Sequence, residues 1–338
     1  SRSVLAFGGL CLLCLVVGAV YLLRVAGRSA APGPLAAPPP MTLEAVRAQP
    51  NALLRSTLQD GTFGKLVLAP LDQPQRGRFV GGLDCERVYF AAGRGICLQA
   101  DRGVITTYNA VLFDDQLRTT RSFPLTGIPS RARVSPDGRF AAMTVFVTGH
   151  SYADGTFSTH TTIVDSTSGD ELADMESFAV YRDGERIQSP DFNFWGVTFA
   201  RDSNKIYATL GTAGKTYLVE GNVRERRFDV LRDTVECPSL SPDNTRIAFK
   251  KLVAAGARPV WKVAVLDLRT MTETVLPQET HSVDDQIEWL DDATVVYGLP
   301  ADTPTASART DVWALPIDGS AAPRLLIEGG WSPVVSRG

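Results

Sequence analysis

From about Phe63 to the C-terminus, apolar positions come in short runs rich in Val, Ile, Phe, Tyr and Thr. Each run is cut off by Gly, Asp, Asn or Pro. Runs of this length between turn residues predict β-strands, and few windows hold a helical period. The runs also repeat. A strand–tight turn–strand unit appears as "VYFAAGRGICLQA", "RVSPDGRFAAMTVF", "VTFARDSNKIYATL", "SLSPDNTRIAFKKL" and "IEWLDDATVVYGL", with a truncated copy, "GGWSPVV", near the end. The turns begin near Ala92, Ser135, Ala200, Ser241, Leu290 and Ser332. A step of roughly 40–50 residues is that of one four-stranded propeller blade, with one longer step marking an insertion.

A second hairpin follows each unit, most clearly "WKVAVLDLRTMTETVL" (Trp261–Leu276). One more copy, Phe63–Val80, stands before the first unit, and the chain closes on an inner strand. The pattern predicts an all-β six-bladed β-propeller with four-stranded blades, its ring closed by N-terminal outer strands pairing with a C-terminal inner strand. Sharing one blade removes free sheet edges.

The N-terminal texture is different. Val4–Leu23 is an uncharged apolar run, about long enough to span ~30 Å of hydrocarbon as a helix. It reads as one transmembrane helix, with a cleaved signal peptide as the alternative. The expected organisation is an anchor or signal segment over 1–27, a Pro/Ala-rich spacer with a short helix over 28–61, and the propeller over 62–338. Thr42 is the expected N-cap of that helix, which Pro50 ends. Arg2 on one side of the run and Arg24 and Arg28 on the other give a weak charge signal against export. A lone span before a large β domain still argues for a single-pass cell-membrane protein with an extracytoplasmic propeller.

The "SPDG…IAF" unit and the hairpin after it resemble the WD-like repeat of TolB-type six-bladed propellers. Ser135–Met143 and Ser241–Phe249 match best; "ARDSNKIYA", "LDDATVVYG" and "WSPVV" are weaker copies. The resemblance covers roughly Phe63 to the C-terminus. It implies a periplasmic or other extracytoplasmic binding protein of the cell envelope, and it is specific for architecture rather than activity. TolB carries an α/β domain before its propeller, where this chain has a spacer and a short helix.

Within the turn, Pro136 presets φ, Asp137 bonds its own backbone and Gly138 accepts positive φ. Asn244 replaces Gly in the later copy. These aspartates are expected to make turns, not chemistry. The formal net charge of −3 gives no electrostatic basis for nucleic-acid binding. Cys85 and Cys97 flank a Gly-rich turn and fit a local disulfide in an oxidising compartment, with buried reduced cysteines as the alternative.

No catalytic residues and no cofactor are expected. The string nearest a serine-hydrolase elbow, "GHSYA" (Gly149–Ala153), lacks its last Gly. His150 and His160 with Asp154 are candidate metal ligands, with a plain loop as the alternative. The competing function is a propeller hydrolase or lactonase with calcium in the central channel. Asp191, Asn193, Asp284, Asp285 and Glu288 are then the candidate ligands.

The Pro-Asp-Gly turns mark one face of the disc. The long segments Val147–Thr159, Val253–Pro259, Pro300–Thr310 and Phe178–Trp195 are expected on the other, where a rigid scaffold positions loops for function. That face is expected to bind another protein or an envelope component. Its candidate anchors are His150, Tyr152, Phe157, Tyr181, Arg182, Arg186, Phe192, Phe194 and Trp195, rich in residue types that dominate interfaces. The membrane is the partner expected for residues 4–23.

Overall fold

The computed structural model describes Phe7 and residues 12–20, 38–147, 158–255, 259–301 and 309–336. Residues 12–20 are helical. Among the described residues no helix is long and apolar enough to cross a membrane. Half of the apolar run 4–23 lies outside them, as do residues 28–37 of the spacer.

From Asn51 onward the described residues form six sheets arranged as propeller blades. Blade 1 closes the ring: its inner strand is Gly330–Ser336, followed outward by Asn51–Ser56, Lys65–Pro70 and Phe79–Asp84. Blade 2 runs outward from Arg87–Ala91, blade 3 from Ile128–Val134, blade 4 from Asn193–Phe199, blade 5 from Glu236–Leu240 and blade 6 from Glu288–Asp291. Alternate inward and outward residues fill the spaces between neighbouring blades. The largest such cluster joins blades 3 and 4 through Phe140, Ile163, Phe194, Phe199 and Phe228.

The ring closes with one more N-terminal strand than the sequence pattern indicates. Asn51–Ser56, assigned above to the spacer and helix, pairs with Lys65–Pro70 on one side and with the C-terminal strand on the other. Leu53 faces Leu68 and Val334 across the two ladders. The strand is nearly all buried, so it lacks the apolar–polar alternation that identifies a strand with one wet face. Just before it, α1 (Leu43–Arg47) is capped by Thr42, whose Oγ1 accepts from the Ala45 amide at 3.2 Å. Val46 packs with Leu53, Leu66 and Val88 beneath blades 1 and 2.

The insertion Phe178–Trp195 is not a plain loop. After a 3-10 turn at Met175–Ser177, Ala179–Arg182 and Glu185–Ile187 form a hairpin. Its first strand adds in parallel to the outer strand of blade 4, Val180 opposite Phe228. Blade 4 is therefore six-stranded. Phe178 drives the docking, its ring 5.1 Å from that of Phe228.

The repeated turn is a small hydrogen-bonded device. Ser135 Oγ donates to Asp137 Oδ1 at 2.6 Å and accepts from Phe140 N, while Asp137 Oδ1 also takes Arg139 N. Gly138 sits at φ +73°. Ser241, Asp243, Thr245 and Arg246 repeat the pattern, with Asn244 at φ +62°. Each turn also reaches the next blade: Asp137 N donates to Ser203 Oγ, Arg201 N to Asn244 Oδ1, and Asp243 N to Asp292 Oδ1. Partial burial alone would raise the Asp243 carboxyl, but donors from Ser241, Thr245 and Arg246 hold it down at about 2. Its contribution is thus complete above the ordinary aspartate value near ~4 and is lost as pH falls through about 2. Asp243→Asn is expected to cost about 1–2 kcal/mol at pH 7. In denaturant titrations at decreasing pH, its deficit relative to wild type should shrink; a deficit independent of pH would contradict this.

Cys85 and Cys97 are joined in a disulfide, with Cα atoms 5.4 Å apart. It ties the strand Arg94–Arg102 of blade 2 to the segment leaving blade 1.

Candidate functional site

Six inner strands surround the central channel, and their polar residues interrupt otherwise apolar runs. The strand "IPSRARV" (Ile128–Val134) carries Arg131 and Arg133, which are both buried. The two-residue period of a strand puts two such side chains on one face. Arg133 is the hub of the channel. It pairs with Glu288 of blade 6 and donates to Tyr89 Oη of blade 2 at 2.8 Å. It reaches Ser239 Oγ of blade 5 at 3.2 Å and the Val197 carbonyl of blade 4 at 3.4 Å. The Gln286 amide oxygen, facing it, accepts from Nε at 3.1 Å and Nη2 at 2.8 Å. One guanidinium on blade 3 thereby engages four other blades.

Charge-assisted hydrogen bonds make such a buried group tolerable. Burial alone would draw the Arg133 guanidinium down, but Tyr89 and Glu288 more than offset this and keep it protonated. Burial pushes the Tyr89 phenol up to about 12, so it remains a neutral donor, to Glu288 Oε2 at 3.0 Å.

This cluster separates two mouths. On the short-turn face a cavity of about 540 Å³ is lined by Ala92, Pro136, Arg201, Pro242 and Asn244, with Arg133 and Glu288 at its floor. On the long-loop face a cavity of about 530 Å³ is lined by Trp195, Trp261 and Trp331, by Arg87, Arg131 and Lys250, and by Glu236, Asp284 and Cys237. Gly196 makes the second mouth possible. It adopts φ +65°, and a Cβ there would lie 2.6 Å from Cys237 Cα. The register breaks at this point, and Trp195 lines the mouth.

The charges of the long-loop mouth are crowded. Burial, and then the like charge of Arg131, lower the Arg87 guanidinium to about 10, against the pull of Asp285. Arg87 donates to the Ser130 carbonyl at 2.7 Å and lies 5.7 Å from the Trp331 ring. Lys250 pairs with Asp284 and lies 4.6 Å from the Trp261 ring. Burial raises Glu236, with Lys250 opposing. Asp285 is fully buried and likewise raised by burial, with Arg87 and Arg131 opposing. Its Oδ2 accepts from Gly298 N and Ser332 N, whereas Oδ1 and Arg131 Nε find no hydrogen-bond partner among the described residues.

The candidate anchors do not form one patch. His150, Tyr152 and Phe157 lie outside the described residues, together with Asp154 and the "GHSYA" string. Tyr181, Arg182 and Arg186 ride the added hairpin on the outer edge of blade 4, not a loop over the channel. Arg227 stacks over Tyr181 at 3.9 Å, and Arg182 over Tyr217 at 4.3 Å. Arg186 and Phe192 line a rim pocket of about 420 Å³ with Glu176 and Ser189. Phe194 is wholly buried between blades 3 and 4, its ring 4.9 Å from that of Phe228. Of the described anchors only Trp195 faces the channel mouth.

The candidate calcium ligands are likewise dispersed. Asp191 accepts from Ser189, Thr212 and Ala213, and Asn193 from Thr159 N. Asp284 faces Lys250, and Glu288 faces Arg133.

The fold is the TolB-like six-bladed β-propeller. No family model and no curated protein matches the sequence. Among solved structures, the chain is similar to TolB from Acinetobacter baumannii, with a TM-score of 0.55 at 16% identity over 85% of this chain. It spans 66% of the TolB chain. A chain from a nidogen/laminin complex matches with a TM-score of 0.56 at 8% identity, covering 85% of this chain and 98% of that one. A protein of unknown function from Bacteroides caccae matches at 0.50 and 13% identity, over 86% of this chain and all of that one. Likeness at such identities is a likeness of fold, and function has to be argued from the site.

Proposed function

We propose that this protein is a non-catalytic protein-binding scaffold, an accessory subunit of a cell-envelope complex that takes its partner at the long-loop mouth of the channel. Residues 4–23 anchor it in the membrane as a single pass, and the propeller lies on the extracytoplasmic side.

The observation that carries this reading is the composition of that mouth. Three tryptophans and two arginines converge on one cavity of about 530 Å³. Tryptophan and arginine are the residues that most often dominate binding energy when a partner desolvates them. The disulfide favours an oxidising compartment. The match to a propeller chain from a nidogen/laminin complex adds that this architecture occurs within protein–protein assemblies.

The test is capture of partners by the full chain in its native cell. Wild type, a Trp261→Ala/Lys250→Ala mouth variant and an Arg186→Ala/Phe192→Ala rim variant would be compared. The reading predicts at least ~10-fold lower capture of one discrete protein by the mouth variant and unchanged capture by the rim variant. Equal capture by both variants and wild type would overturn it.

A further inference from the structure

Burying a carboxylate is costly unless a cation or a metal answers it. Several buried or part-buried carboxylates here pair with side-chain cations: Glu288 with Arg133, Glu273 with Lys251 and Arg232, Asp311 with Arg309. A part-buried pair on blade 3 has no such partner among the described residues. Asp174 ends the outer strand Glu171–Asp174, and Glu176 follows in the 3-10 turn Met175–Ser177. Among the described residues no lysine or arginine ion pair reaches either carboxylate. Their neighbour is His160, from the adjacent strand Ser158–Asp165.

The geometry of this trio is informative. His160 Nε2 lies 3.4 Å from Asp174 Oδ1. That exceeds the 2.7–3.2 Å usual for an N–H···O hydrogen bond. It matches the edge of a tetrahedron around zinc: ligands at ~2.0–2.2 Å from the ion lie roughly 3.3–3.5 Å apart. One ligand atom from each of His160, Asp174 and Glu176 falls within 4.8 Å of the others.

The ligands are also held in place. His160 sits in the ladder opposite Val145, and Thr162, two residues on, pairs with Asp174. Asp174 Oδ1 caps the 3-10 turn by accepting from Glu176 N at 3.0 Å. Glu176 accepts from Thr161 N at 3.1 Å and from Phe194 N of blade 4 at 3.3 Å. The histidine and aspartate side chains remain 35% and 40% exposed, which leaves an entry path.

We propose that His160, Asp174 and Glu176 form a divalent-cation site, best suited to zinc, with three protein ligands and an open position for water. The sequence pattern pairs His160 with His150 and Asp154, which lie outside the described residues; the structure brings it to two carboxylates further along the chain. An ion here would neutralise the carboxylate pair. Because Glu176 also holds the first strand of blade 4, the ion would clamp blades 3 and 4 together.

Isothermal titration of the full chain with zinc chloride at pH 7.5 tests the site, with thermal unfolding as a parallel readout. The expected result is one ion per chain at the site, with a rise in melting temperature. His160→Gln and Asp174→Asn should each weaken binding by at least ~10-fold and abolish that rise, while His281→Ala leaves both intact. Circular dichroism of each variant establishes that it is folded. Cobalt(II) absorption supplies a second readout: tetrahedral ligand-field bands in wild type and their loss in His160→Gln. No stoichiometric zinc binding by wild type would overturn the proposal. So would wild-type affinity in the folded His160→Gln and Asp174→Asn variants, or loss of binding in His281→Ala alone.

Discussion

Glu288→Ala is expected to destabilise the propeller by about 3–5 kcal/mol, the cost of leaving a buried charge without its partner. Glu288 is the carboxylate facing Arg133, and both side chains are more than nine-tenths buried. With Glu288 gone, the guanidinium keeps its hydrogen bonds to Tyr89, Ser239 and Gln286 but no opposing charge in the ion pair. Removing both partners should hurt less than removing one. An Arg133→Met/Glu288→Leu variant carries no uncompensated charge, and replacing buried pairs by apolar residues of similar volume is often neutral. Urea denaturation of wild type, Glu288→Ala and the double variant would show this order. A Glu288→Ala loss below ~1 kcal/mol, or a double variant weaker than the single one, would contradict the account of the channel.

The second large effect concerns ring closure. A chain ending at Gly329 should lose its cooperative unfolding transition. Gly330–Ser336 is the inner strand of blade 1 and pairs with Asn51–Ser56 along its length. Its removal exposes the ladder edge of Asn51–Ser56, and an open, apolar sheet edge invites aggregation. It also removes Ser332, a donor to the buried Asp285, and Trp331, stacked by Arg87. Size-exclusion chromatography with denaturant titration is the check. A monomer with an unchanged transition would show that blade 1 does not hold the ring.

The architecture was legible because its signal is repeated. Five copies of strand–turn–strand outweigh any single ambiguous run, and the Ser-x-Asp turn explains its own residues: Ser135 and Ser241 bond the aspartate two residues on. The strand Asn51–Ser56 was harder to read. "NALLRS" is buried on both faces and follows a helix directly, so its composition does not separate strand from helix. The inserted hairpin escaped for another reason. Its first strand pairs in parallel with residues 227–229, nearly fifty positions along the chain, and no local pattern encodes that contact.

The site divides the same way. Glu288 is legible as a carboxylate at the start of an inner strand, whereas its partner Arg133 stands just before a Ser-Pro-Asp-Gly turn that accounts for its surroundings without it. The usable signal was in "SRARV": two arginines at alternate positions of an apolar strand have to face something buried. Trp195 was legible as an aromatic on a long connection. Its neighbours at the mouth, Trp261, Trp331, Arg87 and Lys250, come from three other blades and only the closed ring assembles them. His160 was visible as one of three histidines. Its proximity to Asp174 and Glu176 depends on the ladder between neighbouring strands of blade 3.

The most direct measurement of the binding account is site-specific photo-crosslinking in the native cell. A photoreactive side chain would replace Ser282, at the long-loop mouth, or Pro242, on the short-turn face. The account predicts a discrete covalent adduct with one protein from position 282 and none from position 242. Equal adducts from both positions, or an adduct from position 242 alone, would contradict it.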